Sequence, residues 1–216
     1  MTVTTRWWWI RHALVHNPDR RIYGQDDLDA DTSDEAAFKA LAAALPRDAV
    51  WVTSALKRSL QTAAALAPHV RASGAVPPEP VIEPDLAEQN FGTWQGMTFD
   101  ELKDHLGEGF DRVWQAPAHA TPPQGENFAD VIARVALATN KLTEAHAGRD
   151  IVAVAHGGSI RAALALALGL DADAALSFRI ENLSLTRIDH INPRDEKAVP
   201  GAARPWRVSA VNISHG

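Results

Sequence analysis

Residues 4–27 read TTRWWWIRHALVHNPDRRIYGQDD, in which three tryptophans and an isoleucine run straight into Arg11 and His12. The segment from Trp7 to Ile10 is apolar at every position, so it offers apolar side chains to both faces of a strand, and it is too short for a helix. That combination describes a strand buried on both sides. Two further segments share the pattern, AVWVTS at 49–54 and DIVAVAH at 150–156. Each is followed at once by a helix-period segment, ALKRSLQTAAALAPHV at 55–70 and GGSIRAALALALGL at 157–170. Strand then helix, repeated, is the rhythm of a mostly parallel sheet with helices on both faces, which predicts a three-layer αβα sandwich.

The remaining elements fit around this frame. Ser33, Asp34 and Glu35 begin a helix that runs to about Leu45 and stops at Pro46. The stretch ENFADVIARVALATNKLTEAHAG is the longest amphipathic helix and is expected to close at Gly148. LSLTRID and WRVSAVNIS alternate like strands, with NPRDEKAVPGAARP as the loop between them. RASGAVPPEP at 71–80 is rich in proline but too short to serve as a linker between domains, so a single domain over 1–216 is expected.

Composition excludes several functions. The formal charge of −6 contains no block of like charge, so neither nucleic acid nor an anionic membrane is an expected partner. Cysteine is absent, which removes thiol catalysis, disulfides and thiolate metal ligands. No apolar run is long enough for a membrane span and no leader pattern opens the chain, so a cytoplasmic protein is expected. The oligomeric state is not legible.

In parallel sheets of this kind ligands bind beyond the carboxyl ends of the strands, where helix N-termini offer amide donors. Arg11 and His12 leave the first strand there, and His156 leaves the DIVAVA strand in the same way. Arg58 stands on the first turns of the helix after AVWVTS, and Glu88 lies in DLAEQNFGTWQG. Two guanidiniums, two imidazoles and a carboxyl group suffice to bind and transfer a phosphoryl group without a metal. The planar fork of arginine matches phosphate oxygens. A neutral imidazole can attack phosphorus, and a carboxylic acid can protonate the departing oxygen.

The residues RHA, TSALKRSLQTA, LAEQNFGTWQG, PPQGENF and VAVAHGGSIR, in that order from residue 9 to about residue 161, resemble the successive motifs of the histidine phosphatase superfamily, the phosphoglycerate mutase-like proteins. ENLSLT continues the resemblance. It implies a phosphoglycerate mutase-like fold and a cofactor-free reaction on a small phosphate monoester. Under it His12 accepts the phosphoryl group, and Arg11, Arg58 and His156 bind phosphate around it. Glu88 matches the acid and base, and Asn17 matches a phosphate-contacting asparagine if one residue is deleted between it and His12. Two departures stand out: Ala13 replaces the usual glycine after the histidine, and Leu14 stands where an acidic residue is common. GEN replaces GES before the long helix, which leaves Glu126 and Asn127 as pocket or capping residues.

Other features carry less. The remaining histidines form no ligand cluster with carboxylates, so no metal site is expected. HGGS is reminiscent of an esterase loop, but no GxSxG elbow exists and Ser159 sits where a helix should already run. Trp94 is read as packing rather than stacking on a ligand, and Arg161 as a surface pairing residue. The expected function is a metal-independent phosphomonoesterase working through phosphohistidine. The alternatives are phosphoglycerate mutase-type transfer and a phosphoprotein-binding module without turnover.

Overall fold

The computed structural model describes residues 2–193 and 205–215. In chain order it contains β1 (Thr2–Arg11), α1 (Glu35–Ala44), β2 (Ala49–Thr53), α2 (Lys57–Ala72), β3 (Val81–Ile82), α3 (Phe99–Leu106), α4 (Phe110–Gln115), α5 (Phe128–Ala145), β4 (Asp150–Ala155), α6 (Gly157–Leu168), α7 (Ala172–Leu176), β5 (Leu185–Pro193) and β6 (Trp206–Ile213). The strands form one sheet in the order β3-β2-β4-β1-β5-β6. The β3-β2-β4-β1 portion is parallel, while β5 runs antiparallel to β1 and β6 antiparallel to β5.

Alternation along the central strands builds two cores. Trp7 and Trp9, Val50 and Val52, and Ile151, Ala153 and Ala155 face one side, where Val131 and Val135 of α5 and Ile160 and Leu164 of α6 meet them. Ile10, Trp51, Val152 and Val154 face the other, against Phe38 and Leu41 of α1 and Leu66 and Val70 of α2. This is the expected three-layer sandwich. Trp7 and Trp9 are fully buried and stack with ring centroids 4.9 Å apart. Truncating either to alanine should cost about 3–5 kcal/mol.

Several boundaries differ from the sequence reading, each for a local reason. β1 extends back to Thr2 because its polar first half pairs with β5 from Thr2 to Ile10. α1 begins one residue after Asp34, whose side chain accepts from the Ala37 N–H and caps it. α5 ends at Ala145, before Gly148, because His146 already caps the helix through its N–H to the Leu142 carbonyl. The short β3, α3, α4 and α7 went unread; each is too brief to establish a period. The loop expected at NPRDEKAVPGAARP falls largely at 194–204, outside the described residues. Among the described residues, no helix is long and apolar enough to cross a membrane.

Candidate active site

The parallel strands β1, β2 and β4 end on the same side, and the chemistry-bearing residues leave them there. Arg11 is the last residue of β1, and the His12 N–H continues the ladder by donating to the Ala155 carbonyl of β4 at 2.9 Å. His156 follows β4 and opens α6, while Ser54 and Arg58 follow β2. His12 and His156 are 1% and 0% exposed, and their rings stand 5.1 Å apart between centroids. The sequence places His12 at a strand end; the structure seats it in the interior.

Each imidazole is held in one tautomer by its partners. His12 Nδ1 lies 2.7 Å from the Ala13 carbonyl oxygen. A carbonyl only accepts, so Nδ1 carries the proton and Nε2 keeps its lone pair. Burial foremost, and then the Arg58 charge, lower the His12 pKa to about 3; Arg11 adds to the same effect. Desolvation, and not the neighbouring guanidiniums, is the larger cause. His156 accepts from Arg58 Nε at Nδ1, 3.3 Å, so its proton sits on Nε2, which donates to Ser54 Oγ at 2.7 Å. Burial, followed by the charges of His12 and Arg58, pushes His156 well below the usual imidazole value.

Arg58 is wholly buried. It donates through Nη1 to the Asp26 carbonyl at 2.7 Å and through Nη2 to the Gly24 carbonyl at 2.5 Å, and its guanidinium lies 5.0 Å over the Tyr23 ring. Burial pulls its pKa down, and Glu88 is the largest influence holding it up. Arg11 donates through Nη1 to the Ile180 carbonyl at 2.6 Å, while its buried Nε has no hydrogen-bond partner among the described residues. A buried cationic donor without a protein acceptor, beside the two histidines, is suited to meet an anion.

Glu88 lies at the N-terminus of α6. Its Oε1 accepts from the Gly158 N–H at 3.0 Å and from the Gln89 N–H at 3.0 Å. A Cβ added to Gly158 would collide with that oxygen, so only glycine admits the carboxylate here. Glu88, Gly158, Tyr23, Phe91 and Arg161 share the lining of a cleft of about 270 Å³. Among the described residues, no group of three His, Cys, Asp or Glu side chains is arranged to hold a metal ion.

Arg11, His12, Arg58, His156 and Glu88 are thus brought together, while no hydrogen bond joins Asn17 to them among the described residues. Its amide closes a local loop instead, donating to the Arg21 carbonyl at 2.8 Å and accepting from the Arg21 N–H at 3.0 Å. Asn127 is a cap, accepting from the Asp130 N–H, and Glu126 pairs with Arg134 at 2.7 Å. Ser159 spends its hydroxyl on the His156 backbone.

The model of the histidine phosphatase superfamily (branch 1) matches residues 7–198. The chain belongs to that superfamily. It is 37% identical over 177 residues to a glucosyl-3-phosphoglycerate phosphatase of Mycolicibacterium vanbaalenii, a match covering 76% of this chain and 74% of the relative. A probable phosphoglycerate mutase of Serratia proteamaculans is 27% identical over 95% of this chain and 92% of its own. The solved structure of a mycobacterial glucosyl-3-phosphoglycerate phosphatase superposes with a TM-score of 0.78 at 26% identity, covering 98% of this chain and all of that one. The chain also matches mycobacterial proteins to which it is 33% identical over 132 residues, and there it spans only 34% of their length.

Within this superfamily frame the sequence reading missed several residues. Arg161 is half-buried beside the cleft and not simply a surface pairing residue: its Nε donates to the Phe178 carbonyl at 2.7 Å, and burial lowers its pKa while Glu88 raises it. Asn182 Nδ2 donates to the His12 carbonyl at 2.8 Å and holds the loop that carries it. Tyr23 and Arg134 were equally unread. Asn182 lies within ENLSLT, where a signal existed; Arg134 acts on backbone carbonyls, which leave no pattern in sequence, and Tyr23 reaches Arg58 from a separate loop.

Proposed function

We propose that this protein is a phosphomonoesterase that works through a phosphohistidine intermediate on a small phosphorylated metabolite, without a metal or cofactor. The observation that carries the reading is His12, held neutral with its lone pair on Nε2 and set between guanidiniums and a helix N-terminus. Nε2 attacks phosphorus in line as the bond to the ester oxygen breaks, and Glu88, entering as the carboxylic acid, passes its proton to that oxygen. Glu88 Oε1 accepts from the Gln89 N–H and from the Gly158 N–H, while Oε2 accepts only the longer 3.2 Å branch of the Gly158 bond, which makes Oε2 the oxygen to hold this proton. Water then attacks phosphorus, its proton returns to Glu88, and Nε2 recovers its electron pair as phosphate leaves. Arg11, Arg58 and the N-terminus of α6 stabilise charge on the phosphoryl oxygens. His156 remains neutral, and its Nε2–H, now on Ser54, is the donor it can offer.

The higher identity to a phosphatase than to a probable mutase, 37% against 27%, favours water as the acceptor. A cleft of about 270 Å³ suits a small ester better than a phosphoprotein. We read the chain as one cytoplasmic domain that needs neither nucleic acid nor membrane. The test is a panel of phosphate monoesters after dialysis against a chelator. Release of inorganic phosphate at an undiminished rate, with acid-labile label on the quenched enzyme, is expected. Isomerised ester without phosphate release would make it a mutase, retained phosphopeptide without turnover a binding module, and activity restored by Mg²⁺ or Zn²⁺ would overturn the mechanism.

A further inference from the structure

Glu88 lies on a segment with neither helix nor strand to hold it, between the 3-10 turns Pro84–Leu86 and Gly92–Trp94. Its carbonyls therefore have no ladder to join, and side chains take the place of one. Gln25 Nε2 donates to the Glu88 carbonyl at 2.8 Å, and Arg134 spans three carbonyls of the segment. Arg134 Nη1 donates to the Asp85 carbonyl at 2.7 Å and to the Ala87 carbonyl at 2.9 Å. Its Nη2 donates to the Glu88 carbonyl at 3.0 Å and to Glu126 Oε1 at 2.7 Å, and Nε donates to Glu126 Oε2 at 2.9 Å. All five N–H donors of the guanidinium are thereby used. Glu126 Oε1 in turn accepts from the Asn90 N–H at 3.0 Å, so the same pair grips the chain on both sides of Glu88.

We propose that Arg134, locked by Glu126, is a positioning residue that holds Glu88 where its carboxyl can reach the leaving oxygen. The inference rests on the reading of Glu88 as the acid. Among the described residues Arg134 hydrogen-bonds to carbonyls of this segment and to Glu126, and not to His12, Arg11, Arg58 or His156. Its charge does reach His156 and helps to lower that pKa, an effect that lysine at this position would keep. The hydrogen bonds that lysine loses bear on the proton transfer and not on the attack. Lysine at this position offers three donors from one point and cannot span three carbonyls and a carboxylate.

The test compares single-turnover rates of enzyme phosphorylation by an alkyl phosphate and by nitrophenyl phosphate. An alkoxide needs a proton as it departs, and nitrophenolate does not. Glu88→Gln should slow the alkyl ester about a hundredfold more than the nitrophenyl ester. Arg134→Lys should give the same discrimination at about tenfold, and should add nothing on the alkyl ester when combined with Glu88→Gln. Glu126→Gln, which keeps the three carbonyl bonds, should show a smaller discrimination and carries the test should Arg134→Lys fail to fold. Equal slowing of both esters by the Arg134 and Glu126 variants, with Glu88→Gln still discriminating, overturns the positioning role alone. Equal slowing by Glu88→Gln overturns the acid assignment, and the positioning role with it.

Discussion

The Nδ1 of His12 stands 2.7 Å from the carbonyl oxygen of its own neighbour, Ala13, and that contact decides which nitrogen is free. Asn182 Nδ2 donates to the His12 carbonyl at 2.8 Å and reaches the Ala13 carbonyl at 3.3 Å, which fixes the loop from outside. Thr62 Oγ1 accepts the Ala13 N–H at 2.9 Å, which holds the His12–Ala13 peptide as well.

The phosphoryl group should therefore be found on Nε2. Rapidly quenched enzyme, examined by ³¹P and ¹⁵N correlation, should show one phosphohistidine with this attachment. Label on Nδ1 would mean that the Ala13 contact breaks in the working enzyme. His12→Gln should form no phosphoenzyme and should lose turnover while keeping a folded spectrum.

The two buried histidines also set a pH dependence of stability. Folded His12 has a pKa lowered to about 3, and His156 lies well below its usual value, while in the unfolded chain both take protons near about pH 6.5. Below that pH the unfolded state binds more protons, so stability is full above about pH 6.5 and falls as the solution is acidified towards pH 3. Each histidine contributes a slope of up to about 1.4 kcal/mol per pH unit in that window. Chemical denaturation of His12→Gln across about pH 4–6 should give a curve shallower than wild type by roughly that slope. Parallel curves would mean that His12 titrates alike in both states.

Trp7–Ile10, AVWVTS and DIVAVAH were legible because a strand buried on both faces is apolar throughout, and little else in a short segment is. The histidine pair was legible for the same reason, since each member ends such a strand. The antiparallel direction of β5 was not, because alternation is the same whichever way a strand runs. Arg134 was hidden for a different cause: its partners are the carbonyls of residues 85, 87 and 88, which every sequence possesses. Arg161 read as a surface residue because one turn into a helix says nothing of the cleft that the Glu88 segment makes beside it. Asn17 was reached by counting along a loop, and counting does not show that the loop's own hydrogen bonds tie its amide to the Arg21 backbone.

Gly158→Ala tests the seat of Glu88 without touching Glu88. Alanine is the better helix former by up to about 1 kcal/mol, so the fold should hold or gain. The new carbon nevertheless occupies the site of Glu88 Oε1, and the carboxylate must move. Phosphorylation by alkyl esters should fall about a hundredfold if the displacement approaches 1 Å. At Gly157 an added carbon meets nothing closer than Arg161 Nη1 at 3.5 Å, so Gly157→Ala should cost far less. Equal losses from the two variants would mean that the helix end, and not the carboxylate, was disturbed.

Arg58→Lys separates charge from geometry. Three of the five guanidinium N–H groups are committed, to the Gly24 and Asp26 carbonyls and to His156 Nδ1, which leaves one on each Nη for a phosphoryl oxygen pair. Lysine keeps the charge but concentrates three donors at one point. It cannot hold the three protein acceptors and present a fork to phosphate as well. Some of those buried acceptors must go unpaired, at about 1–3 kcal/mol each, and His156 loses the donor that fixes its tautomer. Both KM and kcat should suffer, with kcat/KM down by at least about a hundredfold, and the melting temperature should fall. A variant with near-normal kcat/KM would mean that positive charge alone is what this position supplies, and that the phosphoryl group is oriented by Arg11 and the α6 amides.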